Sequence, residues 1–312
     1  MGTFEGKVGS KGIYKFRLNS QGKFSSVGLV GRTENPSYIT FSDDKRYLLS
    51  VSLPPSFGSG ILESFLVTNR GLKPVSKSPT DKAPCFVTVR NEHVLIANYS
   101  GGSTELFKLS PNGKLSHSLS KEQHEGNGVN DRQEAPHSHS AWFSPDSNVV
   151  ISPDLGTNHL WFSELDSSQL KLKPNMQKKL KMTKGAGPRH LAFHPNNSSW
   201  IYVVSELNNT ISFVQKSEKG KCKIIASTST LPSTNTGKNV AADIGISSDG
   251  KFLYASNRGD FPRHFAFSPN EEFLVVANQN SNNLVSYKRN KNTEELTFVD
   301  KIKAPNPTCV LF

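Results

Sequence analysis

The feature that most constrains this chain is an internal repeat. A unit running from a proline through a short polar stretch, a Phe or equivalent, a turn and an apolar run to a polar stop recurs along it. It opens at Pro36 (PSYITFSDDKRYLLSVS), Pro84 (PCFVTVRNEHVLIANYS), Pro136 (PHSHSAWFSPDSNVVISPD) and Pro188 (PRHLAFHPNNSSWIYVVSE). It opens again at Ala241 (AADIGISSDGKFLYASN), Pro262 (PRHFAFSPNEEFLVVANQ) and Pro307 (PTCVLF). The first four heads stand roughly 50 residues apart, a period that means a stacked or ring-like array of one supersecondary unit.

Inside each unit the signals are those of strands. Turn formers such as Ser-Pro-Asp and Ser-Ser-Asp-Gly separate short runs rich in Val, Ile, Phe and Tyr. A third run follows (STELFKL, TISFVQ, LVSYKR), then a weaker fourth (CKIIAST, LTFVDKI), and helical periodicity is nearly absent. Four short strands per unit describe a blade of a β-propeller. The expectation is therefore an all-β, seven-bladed β-propeller spanning residues 1–312 as a single domain, with units starting near 36, 84, 136, 188, 241, 262 and 307. The last unit supplies only an innermost strand. The chain begins in mid-unit with MGTF, GIYKFRL and FSSVGLV, so pairing of the N- and C-terminal strands in one composite blade is expected to close the ring without a free edge. One unit is short. From Ala241 to Pro262 is about 21 residues, less than half the period, and the apparent deletion falls between Asp260 and Phe261. That blade is expected to lack its outer strands.

Composition narrows the class. Mean hydropathy is −0.47, and no run approaches the roughly 18 apolar residues of a membrane span. The N-terminal MGTFEGKVGS has no apolar signal core, and Cys85, Cys222 and Cys309 form no CxxC pair, so a reducing, cytoplasmic address is expected. The 37 Lys and Arg against 26 Asp and Glu give a net charge of +11, which favours anionic partners. The densest run, Lys171 to Lys184, has no interleaved aromatic side chains for base stacking, so it reads as a solvated strand and not as a nucleic-acid surface. The expected partner is a small anionic substrate, with no membrane.

The candidate chemistry lies at the heads and at the ends of the second strands, which a propeller brings to its axis. His137 and His139 are two apart, so on a strand they share a face. Counting back from the Phe of each unit places His139 level with Arg189 and Arg263. A neutral imidazole there serves as general base, or equally as a hydrogen-bonding residue between blades. Arg189 with His190, and Arg263 with His264, suit anion binding or oxyanion stabilisation, or an inter-blade ion pair. Glu206 ends a second strand where the other units carry Asn98, Asp154, Asn257 and Asn278; it is the one Glu in a set otherwise suited to capping turns. Arg258 follows Asn257 toward the same rim. No GxSxG elbow and no GxxxxGK[ST] loop occurs.

Taken as a set, APHSHSAWFSPD, DLGT, GAGPRHLAFHP, SELNNTISF, SNRGD, PRHFAFSPNEEFLVVANQNSNNLVSYKR and NPTCV resemble the seven-bladed propeller lactonase family over nearly the whole chain. That family includes propeller-type 6-phosphogluconolactonases and fungal 3-carboxy-cis,cis-muconate cyclases. The resemblance implies a site made of the His of PHSH, the Arg of GPRH, the Glu of SEL and the Arg of SNR. Here these are His139 (or His137), Arg189, Glu206 and Arg258, with His190, Arg263, His264, Asp154, Asp243 and Asn257 around the substrate. It implies a cofactor-free, metal-independent hydrolysis of a sugar lactone, above all 6-phosphogluconolactone to 6-phosphogluconate, in which His139 or Glu206 activates water. A muconate-type lactonising cyclase and a non-catalytic binding module remain alternatives, as do calcium-dependent sugar lactonases if Glu206, Asp154 and Asp243 converge. Two departures stand out: the short unit after SNRGD, and Asp243 where the family carries Glu.

Overall fold

The computed structural model describes residues 1–3, 9–54, 59–234, 239–256 and 261–312. Among them, five four-stranded antiparallel sheets follow one another, each built in simple up-and-down order from one sequence unit. In the unit opened by Pro188, for example, Pro188–His194, Asn197–Ser205, Thr210–Lys216 and Cys222–Ser229 pair in sequence order. The chain is an all-β propeller. Its one helical turn among the described residues is the 3-10 segment Asp131–Gln133.

Three two-stranded sheets complete the set. Gly12–Leu18 pairs with Phe24–Arg32, Gly2–Thr3 with Pro307–Cys309, and Ile244–Ile246 with Leu253–Ala255. The first two are joined, because the Tyr14 amide donates to the Met1 carbonyl at 3.1 Å. The third is the unit opened by Ala241. Residues 257–260, which hold Asn257, Arg258 and one side of the Asp260–Phe261 junction, lie outside the described residues.

The same local chemistry makes the first turn of four units. A Ser hydroxyl donates to an acidic or amide oxygen two residues on in Ser42–Asp44, Ser144–Asp146, Ser247–Asp249 and Ser268–Asn270, at 2.6–2.9 Å. These are the Ser-x-Asp signals of the sequence acting through side-chain mimicry of a backbone turn. The Lys-rich run forms the outer strand Lys171–Lys181, whose alternate residues face solvent.

The core lies between blades, not within them. Tyr47, Leu49 and Val51 of one sheet pack on Val87, Val94 and Phe107 of the next. Phe86 and Leu95 pack on Phe143 and Val150, and Ile151 and Phe162 on Leu191 and Val203. Each sheet is thus apolar on both faces, as stacking around an axis requires. The first strands are innermost, so the residues after each head proline face the axis.

Candidate active site

Glu206 is the centre of a charged cluster near the axis. It follows strand Asn197–Ser205 and is 4% exposed. Its Oε2 accepts from Arg189 Nε at 2.9 Å, and its Oε1 pairs with Arg132 Nη1. Arg132 also donates through Nη2 to the Tyr99 hydroxyl at 3.2 Å. Arg189 reaches further with Nη1, to the Ala242 carbonyl and to His190 Nε2 at 3.3 Å. Arg263 stands in the same field: its charge acts on Glu206, Arg189 and Cys85. Among the described residues it forms no ion pair, and its guanidinium lies 5.8 Å from the Phe261 ring centroid. Two guanidiniums therefore hold one carboxylate and the charge of a third acts on it, an excess of positive charge suited to an anion.

The protonation states follow from burial and neighbours. Burial pushes the Glu206 carboxyl up, but Arg189 and Arg132 outweigh it and hold it below its usual value. Burial first, and repulsion from Arg189 second, bring Arg263 down to about 10. The same two causes hold His139 well below the usual histidine value, so its imidazole is neutral at neutral pH. His139 Nε2 lies 4.0 Å from Glu206 Oε2, longer than a hydrogen bond, and its ring packs edge-on against Tyr99 and His190. Cys85 Sγ is 3.8 Å from His139 Nδ1; burial drives the thiol up to about 12, so it is no nucleophile at neutral pH.

The structure sorts the sequence candidates. It brings His139, Arg189, Glu206 and Arg263 together. It departs from the expected strand at the third head: residues 136–141 make no ladder beyond a single bridge from Ser138 to Asp154, so the two histidines do not share a strand face. His137 is spent on the loop, with Nδ1 on the Tyr99 carbonyl at 3.0 Å, Nε2 on Glu134 at 3.1 Å and the ring stacked on Tyr99. Asp154 is likewise structural, not substrate-facing. Its Oδ2 bonds His124 Nδ1 at 2.6 Å, while Oδ1 accepts the amides of His137 and Thr157 at 3.0 and 2.7 Å.

His190, Asp243 and His264 form a separate buried layer. His190 Nδ1 donates to Asp243 Oδ1 at 2.9 Å, and Asp243 Oδ2 accepts the Phe265 amide at 3.0 Å. His264 Nδ1 accepts the Val310 amide at 3.3 Å, which puts its proton on Nε2 beside Tyr38 Oη at 3.1 Å. Having donated through Nδ1, His190 offers Nε2 to Arg189 as an acceptor. These three residues therefore orient Arg189 from behind; the sequence reading had placed them on the substrate. Glu206, Asp154 and Asp243 do not converge.

Arg132 and Tyr99 were missed. For Arg132 the available signal was loop length: the third head carries two extra residues, and a long connection precedes it, where functional residues concentrate. An apolar cleft of about 340 Å³ lined by Tyr14, Phe16, Leu72, Val275 and Leu311 lies elsewhere and lacks such a cluster.

The family described as "Lactonase, 7-bladed beta-propeller" matches residues 1–260 and 259–312. The 6-phosphogluconolactonase of Bacillus subtilis (strain 168) is 32% identical over 345 aligned residues, covering 100% of this chain and 97% of that protein. The periplasmic gluconolactonase of Pseudomonas aeruginosa superposes with a TM-score of 0.91 at 26% identity, over 98% of this chain and 96% of that one. A protein from Lactobacillus plantarum superposes with a TM-score of 0.92 at 29% identity, over 99% and 96%. The chain belongs to the seven-bladed β-propeller lactonase family and is a lactone-hydrolysing enzyme.

Proposed function

We propose that the substrate is 6-phosphoglucono-δ-lactone, hydrolysed to 6-phosphogluconate. The observation that carries this reading is the set Arg132, Arg189 and Arg263 around the single carboxylate of Glu206, beside a neutral His139. A δ-lactone is an activated ester, so the protein needs to orient water, hold the developing oxyanion and return a proton to the ring oxygen. His139 is the base: it takes the proton of the attacking water and gives it back to the departing ring oxygen. Arg189 and Arg263 face the oxyanion, in surroundings where burial strengthens the interaction. Glu206, kept ionised by two arginines, holds those arginines in place. Hydrolysis of freshly made 6-phosphoglucono-δ-lactone is expected to exceed the spontaneous rate with chelator present. A rate equal to background sinks the proposal.

The reading extends to the architecture. The strands Gly2–Thr3 and Pro307–Cys309 with Gly12–Leu18 and Phe24–Arg32 make a composite blade that closes the ring, supported by the register Gly2↔Cys309 and Thr3↔Pro307. The Ala241 unit is a seventh blade reduced to its inner strands, supported by its two-stranded sheet and by the break of the family match at residue 260. Deleting residues 307–312 is then expected to destabilise the whole ring. Limited proteolysis no faster than for the full chain would refute the closure. The reading also places the enzyme in a reducing compartment, in keeping with three free cysteines.

A further inference from the structure

Arg132 differs from the other arginines of the cluster in how it is mounted. It belongs to the turn Asp131–Gln133 in the long connection between strands Ser120–Gln123 and Trp142–Phe143. That turn is locked. Asn130 caps it by accepting the Arg132 amide at 3.0 Å. Gln133 is fully buried: its Nε2 donates to the Leu155 carbonyl at 2.7 Å, and its Oε1 accepts the amides of Val129 and Asn130 at 3.1 and 3.2 Å. Gly156 of the neighbouring sheet is what lets the connection lie so close, since a Cβ there would stand 1.8 Å from the Ala135 carbonyl oxygen.

The backbone is thus clamped while the side chain reaches the mouth. The Arg132 side chain is 46% exposed, against 3% for Arg189. A guanidinium has five N–H donors. Arg132 gives one to Glu206 and one to Tyr99, so three are left on a side chain that is half in solvent. Arg189 directs its bonds into the protein, to Glu206, Ala242 and His190. The two arginines hold opposite oxygens of the same carboxylate, one deep and one at the rim.

We propose that Arg132, backed by the Tyr99 hydroxyl, is the subsite for the phosphoryl group of the substrate and sets the preference for phosphorylated over unphosphorylated lactones. The inference rests on the lactonase reading above. The lactone carbonyl must reach His139, Arg189 and Arg263 in the buried layer. The phosphoester hangs outside the ring on the carbon across the ring oxygen from the carbonyl and diverges from it, so with the carbonyl held deep its flexible arm has room to reach the mouth. A dianion is costly to bury fully, and a half-exposed, pre-positioned guanidinium fork meets it while water still solvates its outer side.

The test compares kcat/KM for 6-phosphoglucono-δ-lactone and glucono-δ-lactone in wild type, Arg132→Ala and Arg132→Lys. The ratio of the two values is expected to fall by about 30-fold in Arg132→Ala, mainly through KM, and less in Arg132→Lys, which keeps the charge without the fork. Damage to folding or to Glu206 affects both lactones alike and cancels in the ratio. Equal losses on both lactones overturn the subsite. If wild type hydrolyses neither lactone, the substrate reading fails instead, and calorimetric titration with inorganic phosphate decides the subsite. Binding weakened about 30-fold in Arg132→Ala supports it, and unchanged or absent binding overturns it.

Discussion

Replacing Arg189 by alanine is expected to lower kcat/KM by about 10²- to 10³-fold, the scale of losing one oxyanion donor. It is also expected to destabilise the fold by about 3 kcal/mol or more. Both effects have one origin. Arg189 and Glu206 are 3% and 5% exposed, so removing the guanidinium strands a carboxylate in a poorly hydrated interior. Arg132 remains on the other oxygen, but it is half in solvent and offsets only part of the loss. The same substitution frees the Ala242 carbonyl and His190 Nε2. Initial rates and thermal melting of the purified variant measure the two effects together. The double variant Arg189→Met, Glu206→Gln separates them: with both charges gone, stability is expected to recover in large part and turnover is not. Unchanged turnover in Arg189→Ala would remove it from the mechanism.

Acid is expected to unfold this protein earlier than carboxylate titration alone would do. His139, His190 and His264 are 3%, 2% and 9% exposed, and burial lowers all three below the ordinary histidine value, His190 to about 4. In the unfolded chain they titrate near 6.5. A folded value below the unfolded one means that the unfolded state binds more protons between the two. The stability contributed by keeping these rings neutral is therefore complete above about 6.5 and is lost as pH falls toward 4. For His190 alone the loss over that window is about 3 kcal/mol. Asp243 has the opposite role at lower pH. Burial raises it, but His264 and His190 outweigh burial and depress it, so its contribution persists above about 3.9 and disappears below that. Urea midpoints measured at constant ionic strength from pH 7.5 to 4.5 are expected to fall steadily below 6.5, and less steeply in His190→Gln. A flat profile down to 4.5 would show that these rings are not held neutral.

How much of this was legible in the chain can be traced residue by residue. The repeat announced the blades, because strand period and turn chemistry are local: Ser144 and Asp146 make the same turn wherever Ser-x-Asp falls between two apolar runs. Register within the repeat also placed His139, Arg189 and Arg263 on one level, since equivalent positions of equivalent strands face one axis. The odd Glu among turn-capping residues was visible for the same reason. Asn98 is bonded within its own blade and Asp154 to a histidine and two loop amides, whereas Glu206 reaches two arginines.

Other assignments needed the folded molecule. His137 and His139 look alike in sequence, but an irregular segment replaces the strand that would have aligned them, and only His137 is held by loop partners at both ring nitrogens, Nδ1 on the Tyr99 carbonyl and Nε2 on Glu134. Asp154, His190, Asp243 and His264 carry the residue types of a site, yet their polar atoms are satisfied by side chains and amides from other blades and loops. His190 meets Asp243 across 53 residues of chain, and Tyr38 meets His264 across 226. Arg132 enters through a connection whose path follows from Gly156 and Gln133, not from the repeat, and meets Tyr99 at the end of strand His93–Asn98. The sequence alone determined the period, the strand pattern and the level at which charge faces the axis, because these depend on near neighbours. Only the tertiary structure decided which of those polar groups are consumed by partners and which stay available, because burial and hydrogen-bond satisfaction belong to residues far apart in the chain.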